Sequence, residues 1–144
     1  MREDSAKPMI FVAGGTGFAP IKAMLMHAFA SGALRPMVLY WGGRNRQDLY
    51  MADMAAAWQQ EHPHFSFIAV LSEPKAKDAW SGRTGYVHEA VLADFKDLSG
   101  YQVYACGAPA MVEAARQSFT LTRGLPEDEF YADSFVNAAA SEEA

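Results

Sequence analysis

The sequence predicts an α/β fold, a doubly wound open parallel sheet of about five strands in the order 3-2-1-4-5 with helices on both faces. Three observations carry this. Short, nearly all-apolar runs recur along the chain, as strands buried on both faces require. Segments with apolar residues at helical spacing lie between them. Several strand-to-helix junctions are built of glycine and other small residues, and right-handed crossovers turn such an alternation into an open sheet.

Met1–Lys7 is polar and reads as a linker. The first strand, Pro8–Ala13, stops at Gly14-Gly15-Thr16-Gly17, and a helix follows over about Ala19–Ala30 with Ile21, Met24, Leu25, Ala28 and Phe29 on one face. Pro20 suits the first helical turn, where its missing N–H costs nothing. Pro36–Trp41 is the second strand, and Gly42-Gly43-Arg44-Asn45-Arg46 is the loop at its end. A helix over about Asp48–Gln60 is expected to bury Tyr50, Met54, Ala57 and Trp58, before a third strand at Phe65–Leu71. Ser72–Gly85 is the longest irregular stretch, and loops of that length are usually functional or mobile. A helix over about Tyr86–Lys96 buries Val87, Ala90, Val91 and Phe95. The fourth strand, Tyr101–Cys106, meets Gly107-Ala108-Pro109 and a helix over about Pro109–Thr122 with Met111, Val112, Ala115 and Phe119 inside. Glu129–Ala132 is a short fifth strand, so residues 8–136 form the domain and 137–144 a disordered tail.

Composition narrows the function. At 144 residues, half hydrophobic and a fifth charged, the chain reads as one ordinary globular domain. The net charge of −5 and the scattered basic residues argue against a nucleic-acid surface. No apolar run approaches the ~18 residues of a membrane span, and no secretory signal opens the sequence, so a cytoplasmic location without membrane contact is expected. Cys106 is the single cysteine, which excludes an internal disulfide, an iron–sulfur cluster and a cysteine zinc site. His62-Pro63-His64 has no carboxylate or cysteine spaced to complete a metal site and marks a helix end. No metal is expected.

In an open parallel sheet ligands bind beyond the strand C-termini, where the strand order reverses. Gly14–Gly17, Gly42–Arg44, Ser72-Glu73 and Cys106–Pro109 all fall at those ends. The first is a strand, a glycine turn and a helix start, an arrangement that brings backbone N–H groups to a phosphate. It is neither a Walker loop, which needs Lys-Ser/Thr after its last glycine, nor the usual G-x-G-x-x-G spacing.

The stretches GGTGFAPIKAM, LYWGGR, SGRTGYV and VYACGAPAMV, in this order, resemble the NAD(P)H-binding module of the ferredoxin–NADP reductase superfamily. The run REDS and the segment GLPEDEFYADSF bring the likeness nearest to bacterial flavin and iron–sulfur reductases, the group holding oxygenase reductase components and CDP-6-deoxy-3,4-glucoseen reductases. The resemblance implies a pyrophosphate held on Gly14, Gly15, Thr16 and Gly17, with Pro20 at the helix start counted among the cofactor-binding residues. It implies that the nicotinamide lies near Cys106, the catalytic position, above Gly107, Ala108 and Pro109, with Met111 in the same group and Phe135 near a flavin. Cys106 would pack against and polarise the nicotinamide while hydride passes to flavin, without nucleophilic attack. Ala108 stands where many members have proline.

The resemblance also implies FAD on a β-barrel domain, sometimes a 2Fe-2S domain, and a downstream electron-acceptor protein. The sequence contains neither the barrel's Arg-x-Tyr-Ser/Thr motif nor a four-cysteine cluster. It therefore reads as a piece of a longer NAD(P)H-dependent flavin oxidoreductase, inactive when isolated. Ser72, Glu73 and Arg44 bear on cofactor choice. Glu73 stands where NADP-selective relatives commonly carry arginine, which favours NADH, while Arg44 and Arg46 leave NADPH open. Arg83 either lines the cleft or belongs to a plain turn; His88 and Glu89 read as surface residues. The alternative is a non-catalytic doubly wound module, flavodoxin-like or receiver-like. The first would need a hydroxyl-rich phosphate loop and the second clustered acids at strand ends, and neither is present.

Overall fold

The computed structural model describes residues 7–14, 17–32 and 35–134. Six strands, β1 (Met9–Gly14), β2 (Met37–Gly43), β3 (Phe65–Leu71), β4 (Arg83–Thr84), β5 (Gln102–Gly107) and β6 (Phe130–Ser134), form one parallel sheet in the order β4-β3-β2-β1-β5-β6. Four helices cover it: α1 (Phe18–Ala30), α2 (Ala52–Glu61), α3 (Val87–Asp94) and α4 (Pro109–Thr122). The expected order 3-2-1-4-5 is present, with one strand added at the edge. That strand, β4, is two residues long and pairs with Val70 and Leu71, too short to leave a periodic signal.

Strand alternation divides the core into two layers. Met9, Phe11, Ala13, Leu39, Trp41, Tyr104 and Cys106 pack against α1 and α2, while Ile10, Val12, Tyr40, Val103 and Ala105 pack against α3 and α4. Phe11, Tyr104 and Tyr131 sit in register on β1, β5 and β6 and stack in sequence, with centroids 5.5 and 4.7 Å apart. This ladder joins the last strand to the sheet through aromatic contact as well as backbone bonds.

The structure revises two local expectations. The segment after β2 does not start a helix at Asp48. The Asn45 side chain accepts the Gln47 N–H at 3.0 Å, forming a short 3₁₀ turn over Arg46–Asp48, and α2 begins only at Ala52. Tyr50 is consequently 53% exposed, Ala57 is exposed, and Ala55 and Trp58 form the buried face. The long segment from Ser72 to Gly85 is tied down at several points. Arg46 donates to the Asp78 carbonyl at 3.2 and 2.9 Å and lies 5.1 Å over the Trp80 ring. Trp80 Nε1 donates to the Arg83 carbonyl at 2.8 Å. The Lys75 N–H bond holds the Asp78 carboxyl below its usual range.

Arg83 grips Asp94 with two nitrogens at 3.1 Å each, and Tyr40 donates its hydroxyl to the same carboxylate. Burial alone would raise the Asp94 carboxyl, but the bonds from Arg83 and Tyr40 hold it low. Burial and then Asp94 push the Tyr40 phenol well up. His62 ends α2 and stacks on Phe29 at 3.9 Å, as its reading as a helix-end residue anticipated.

Two features fix the sheet's opposite ends. Where the strands begin, Glu129 accepts from Lys7 at 2.6 Å, Tyr131 at 3.0 Å and Gln102 at 3.4 Å, and Lys7 first, then Tyr131 and Gln102, keep its carboxyl below the ordinary value. Where they finish, Gly17 sits directly on β5. A Cβ there would lie 2.2 Å from the Cys106 carbonyl oxygen and 2.8 Å from the Gly107 nitrogen. Only a bare α-carbon allows the start of α1 to approach so closely.

Two stability tests follow from these ends. Gly17→Ala forces a backbone separation and is expected to cost roughly 2–4 kcal/mol, read as a fall in thermal midpoint; an unchanged midpoint would disprove the tight seat. Glu129 has a folded pKa below its unfolded one, so its contribution is present above the unfolded value and is lost as pH falls through the folded one. Glu129→Gln is therefore expected to lower the midpoint at pH 7 and to flatten its decline between about pH 5 and 3, in melts taken across that range.

Candidate functional site

An open cavity of about 700 Å³ lies across the C-terminal ends of the strands, on the α3/α4 side. That volume falls in the range of small-molecule and cofactor sites, about 300–1,000 Å³. Its floor is glycine: Gly14 from β1, Gly42 and Gly43 from β2, and Gly107 from β5. Gly107 adopts φ +153°, and a Cβ on it would reach 2.8 Å from the Met111 terminal methyl and 3.2 Å from Gly14 N and O. A Cβ on Gly42 would strike Val87 Cβ at 2.7 Å. The floor is low because its neighbours press on it: a side chain at Gly42 would strike α3, one at Gly14 or Gly107 would meet Met111 of α4, and one at Gly43 would strike Asp48.

Helix ends set the field. The α1 helix starts at Gly17 and the α4 helix at Ala108; neither has an acidic residue in its first turn, and among the described residues neither has a side-chain cap. Both therefore direct undiminished partial positive charge toward the junction where β1 and β5 end. By contrast α3 carries Glu89 at its third position, whose carboxylate accepts the Tyr86 N–H.

The predicted residues sort clearly. Gly14, Arg44, Ser72, Gly107, Ala108 and Met111 line the one cavity, drawn from four separate strand ends. Gly17 is buried beneath the junction, and Pro20 lies half-buried in the first turn of α1. Glu73 and Pro109 are exposed and do not line the wall; the Glu73 N–H donates to the Arg44 carbonyl at 2.7 Å. Cys106 is 1% exposed, with its side chain in the α1/α2 layer, on the other face of the sheet from the cavity. Gly15, Thr16 and Phe135 lie outside the described residues. Arg83 belongs to the Asp94 clasp and is not on the wall.

Three lining residues with polar or charged side chains escaped the sequence reading. Tyr86 is 64% exposed at the rim and stacks loosely on His88, centroids 6.2 Å apart and planes 20° apart. His88 lines the cavity, its Nδ1 buried and without a hydrogen-bond partner among the described residues. Asp48 lines it too, accepting the Arg44 N–H at 2.8 Å. Helical periodicity assigns Tyr86 and His88 to the outside of α3, and only the position of the cavity beside that helix distinguishes them from solvent residues. Among the described residues no group of three or more metal-ligating side chains occurs, and no helix is long and apolar enough to cross a membrane.

A family model described as an oxidoreductase NAD-binding domain matches residues 11–117. The chain is 43% identical over 136 residues to the CDP-6-deoxy-L-threo-D-glycero-4-hexulose-3-dehydrase reductase of Yersinia pestis, covering 94% of this chain and 40% of that protein. It is 36% identical to an NAD(P)H-flavin reductase of Aliivibrio fischeri, covering 94% of this chain and 56% of the relative. Among solved structures, a cytochrome P450 reductase from Amycolatopsis superposes with a TM-score of 0.82 at 34% identity, over 92% of this chain and 39% of that one. The chain thus spans roughly two-fifths to three-fifths of the length of these proteins. With its strand order, its glycine-floored cavity and the family match over most of its length, the chain belongs to the oxidoreductase NAD-binding domain family, within the ferredoxin–NADP reductase superfamily.

Proposed function

We propose that this chain is the dinucleotide-holding domain of an NAD(P)H-dependent flavin electron-transfer reductase, and that it lays the dinucleotide across the cavity at the strand ends. One observation carries the reading. Four strand ends supply a single cavity whose floor is bare backbone and whose lining takes in the start of α4, a helix with no first-turn carboxylate. Such a surface suits a linked pair of phosphates, because amides and helix dipoles stabilise anions without a side chain. Residues 8–136 serve as the folded unit, preceded by a linker and followed by a tail.

The roles follow from position. Gly14 and Gly107 hold the pyrophosphate, with Gly15 and Thr16, which lie outside the described residues, expected to add their amides. Tyr86, exposed and flat at the rim, offers a stacking face to adenine, with His88 behind it. Arg44, Ser72 and Asp48 border the sugar between them. For Cys106 to touch the nicotinamide, that ring must cross the saddle made by Gly14 and Gly107 toward the α1/α2 face, where the thiol lies. Cys106 then packs against the ring and orients it. FAD, carried on a separate barrel domain with Phe135 near it, would supply the electron-accepting chemistry. The electrons leave for a downstream acceptor protein, in some arrangements through a 2Fe-2S domain. The isolated chain, in a cytoplasmic setting, binds the nicotinamide carrier without turning it over.

Titration of the chain with NADH and with ADP-ribose, by calorimetry and amide NMR, tests this. Binding with shifts at Gly14, Gly42, Gly107 and Tyr86 is expected; absence of binding, or shifts confined to the Lys7–Glu129 end, would overturn it. Tyr86→Ala is expected to weaken binding roughly tenfold, within the ~1–3 kcal/mol of a base-on-aromatic stack. Undiminished affinity in that variant would remove Tyr86 from the site.

A further inference from the structure

The cavity wall contains two fully charged side chains among its described residues, Arg44 and Asp48, and they face each other. The Arg44 guanidinium lies 3.5 Å from Asp48 Oδ2, and the same oxygen accepts the Arg44 backbone N–H at 2.8 Å. Asp48 is not a loose surface acid. Its Cβ lies against Gly43, where an added methyl would stand 2.6 Å away, so the bare Gly43 lets the carboxylate lean onto the end of β2. The Arg44 side chain, by contrast, is 73% exposed, and among the described residues this pair alone holds it. The neighbouring cation is committed elsewhere, since Arg46 binds the Asp78 carbonyl and covers Trp80. Glu73, the acid that the sequence places next to Ser72, stands off the wall.

We propose that Asp48 is the residue that selects against a 2′-phosphorylated dinucleotide, by holding Arg44 as its own counterion at the sugar-binding end of the cavity. This rests on the reading of the cavity as a dinucleotide site. A 2′-phosphate brought beside Arg44 meets a cation already neutralised and a carboxylate of its own sign, and at contact distance the repulsion acts well inside the screening length. A free ribose 2′-hydroxyl meets an acceptor instead and donates to the carboxylate. Asp48 thus favours NADH and disfavours NADPH.

The test compares dissociation constants for NADH and NADPH in the wild-type chain, Asp48→Asn, Asp48→Ser and Asp48→Asn/Arg44→Ala. Asn and Ser both keep an acceptor for the Arg44 N–H while removing the charge, and thermal midpoints report whether each variant folds. Asp48→Asn is expected to tighten NADPH about tenfold, roughly the scale of a charge-assisted hydrogen bond, and to weaken NADH about two- to threefold, the scale of an exposed polar contact. The NADPH gain is expected to fall when Arg44 is also replaced, to the part due to carboxylate repulsion alone, and to shrink as salt rises. An unchanged NADPH-to-NADH ratio in the folded single variants, or a gain undiminished by loss of Arg44, would overturn the assignment while leaving the dinucleotide site intact. A wild-type chain that binds neither nucleotide would overturn both.

Discussion

The contact of Gly17 with the end of β5 determines where everything else at the strand ends can be. A Cβ at this position would lie 2.2 Å from the Cys106 carbonyl oxygen, so the first turn of α1 rests directly on the β5 backbone. In an open sheet with β1 at its centre, crossovers run outward in both directions, and the gap between β1 and β5 is where the order reverses. Seating α1 on β5 closes the bottom of that gap and leaves its top open. The α4 helix, starting at Ala108 one residue beyond β5, then has its N-terminus beside that of α1. Two helix starts converge because one glycine has no side chain, and Gly107, at φ +153°, completes the bend.

The same economy governs the charged residues. The sequence offers several arginines near the strand ends, and the structure divides them by what they hold. Arg46 anchors the segment after β3 through Asp78 and Trp80, and Arg83 joins β4 to α3 through Asp94, with Tyr40 of β2 on the same carboxylate. Arg123 ties the end of α4 to α3 and its exit, donating to the carbonyls of Phe95 and Leu92 at 2.9 and 3.1 Å. The bonds of Arg46 and Arg83 tie the long segment from Ser72 to Gly85 to its neighbours beside the cavity. Arg44 alone among them faces the cavity, and it does so with Asp48 attached.

The sheet was legible because buried parallel strands are written as apolar runs, and each of the five expected strands overlaps an observed one. The convergence of Gly14, Gly42–Arg44, Ser72 and Gly107–Ala108 on one cavity was legible for a related reason, since topology places every strand C-terminus on the same edge. What the sequence hid depends on side-chain direction and on pairing. Tyr50 has helical spacing with Met54 and Trp58, yet the Asn45 cap converts its surroundings into a turn and leaves it exposed. Asp48 reads as the first residue of a helix until its bond to the Arg44 N–H is seen. Cys106 occupies the expected position at the end of β5, but strand alternation sends its side chain to the face opposite the cavity, a parity that a motif match does not encode.

With Arg44 and Asp48 cancelling, the cavity wall is close to neutral in a chain of net charge −5. Its attraction for an anion therefore comes from fixed dipoles and not from cationic side chains. Dipoles of this kind act over about one helical turn and impose a direction, whereas a flexible lysine or arginine follows its ligand. On the proposed reading, a site built this way would place the phosphates accurately and leave the two ends of the dinucleotide to be positioned by shape: a flat aromatic rim at Tyr86 on one side, and the Gly14–Gly107 saddle leading to Cys106 on the other. On that reading accuracy at the saddle would matter more than affinity at the rim, because the reacting ring would have to be presented to a partner group within van der Waals reach. The tight glycine seat that fixes α1 on β5 is thus also what fixes the height of that presentation.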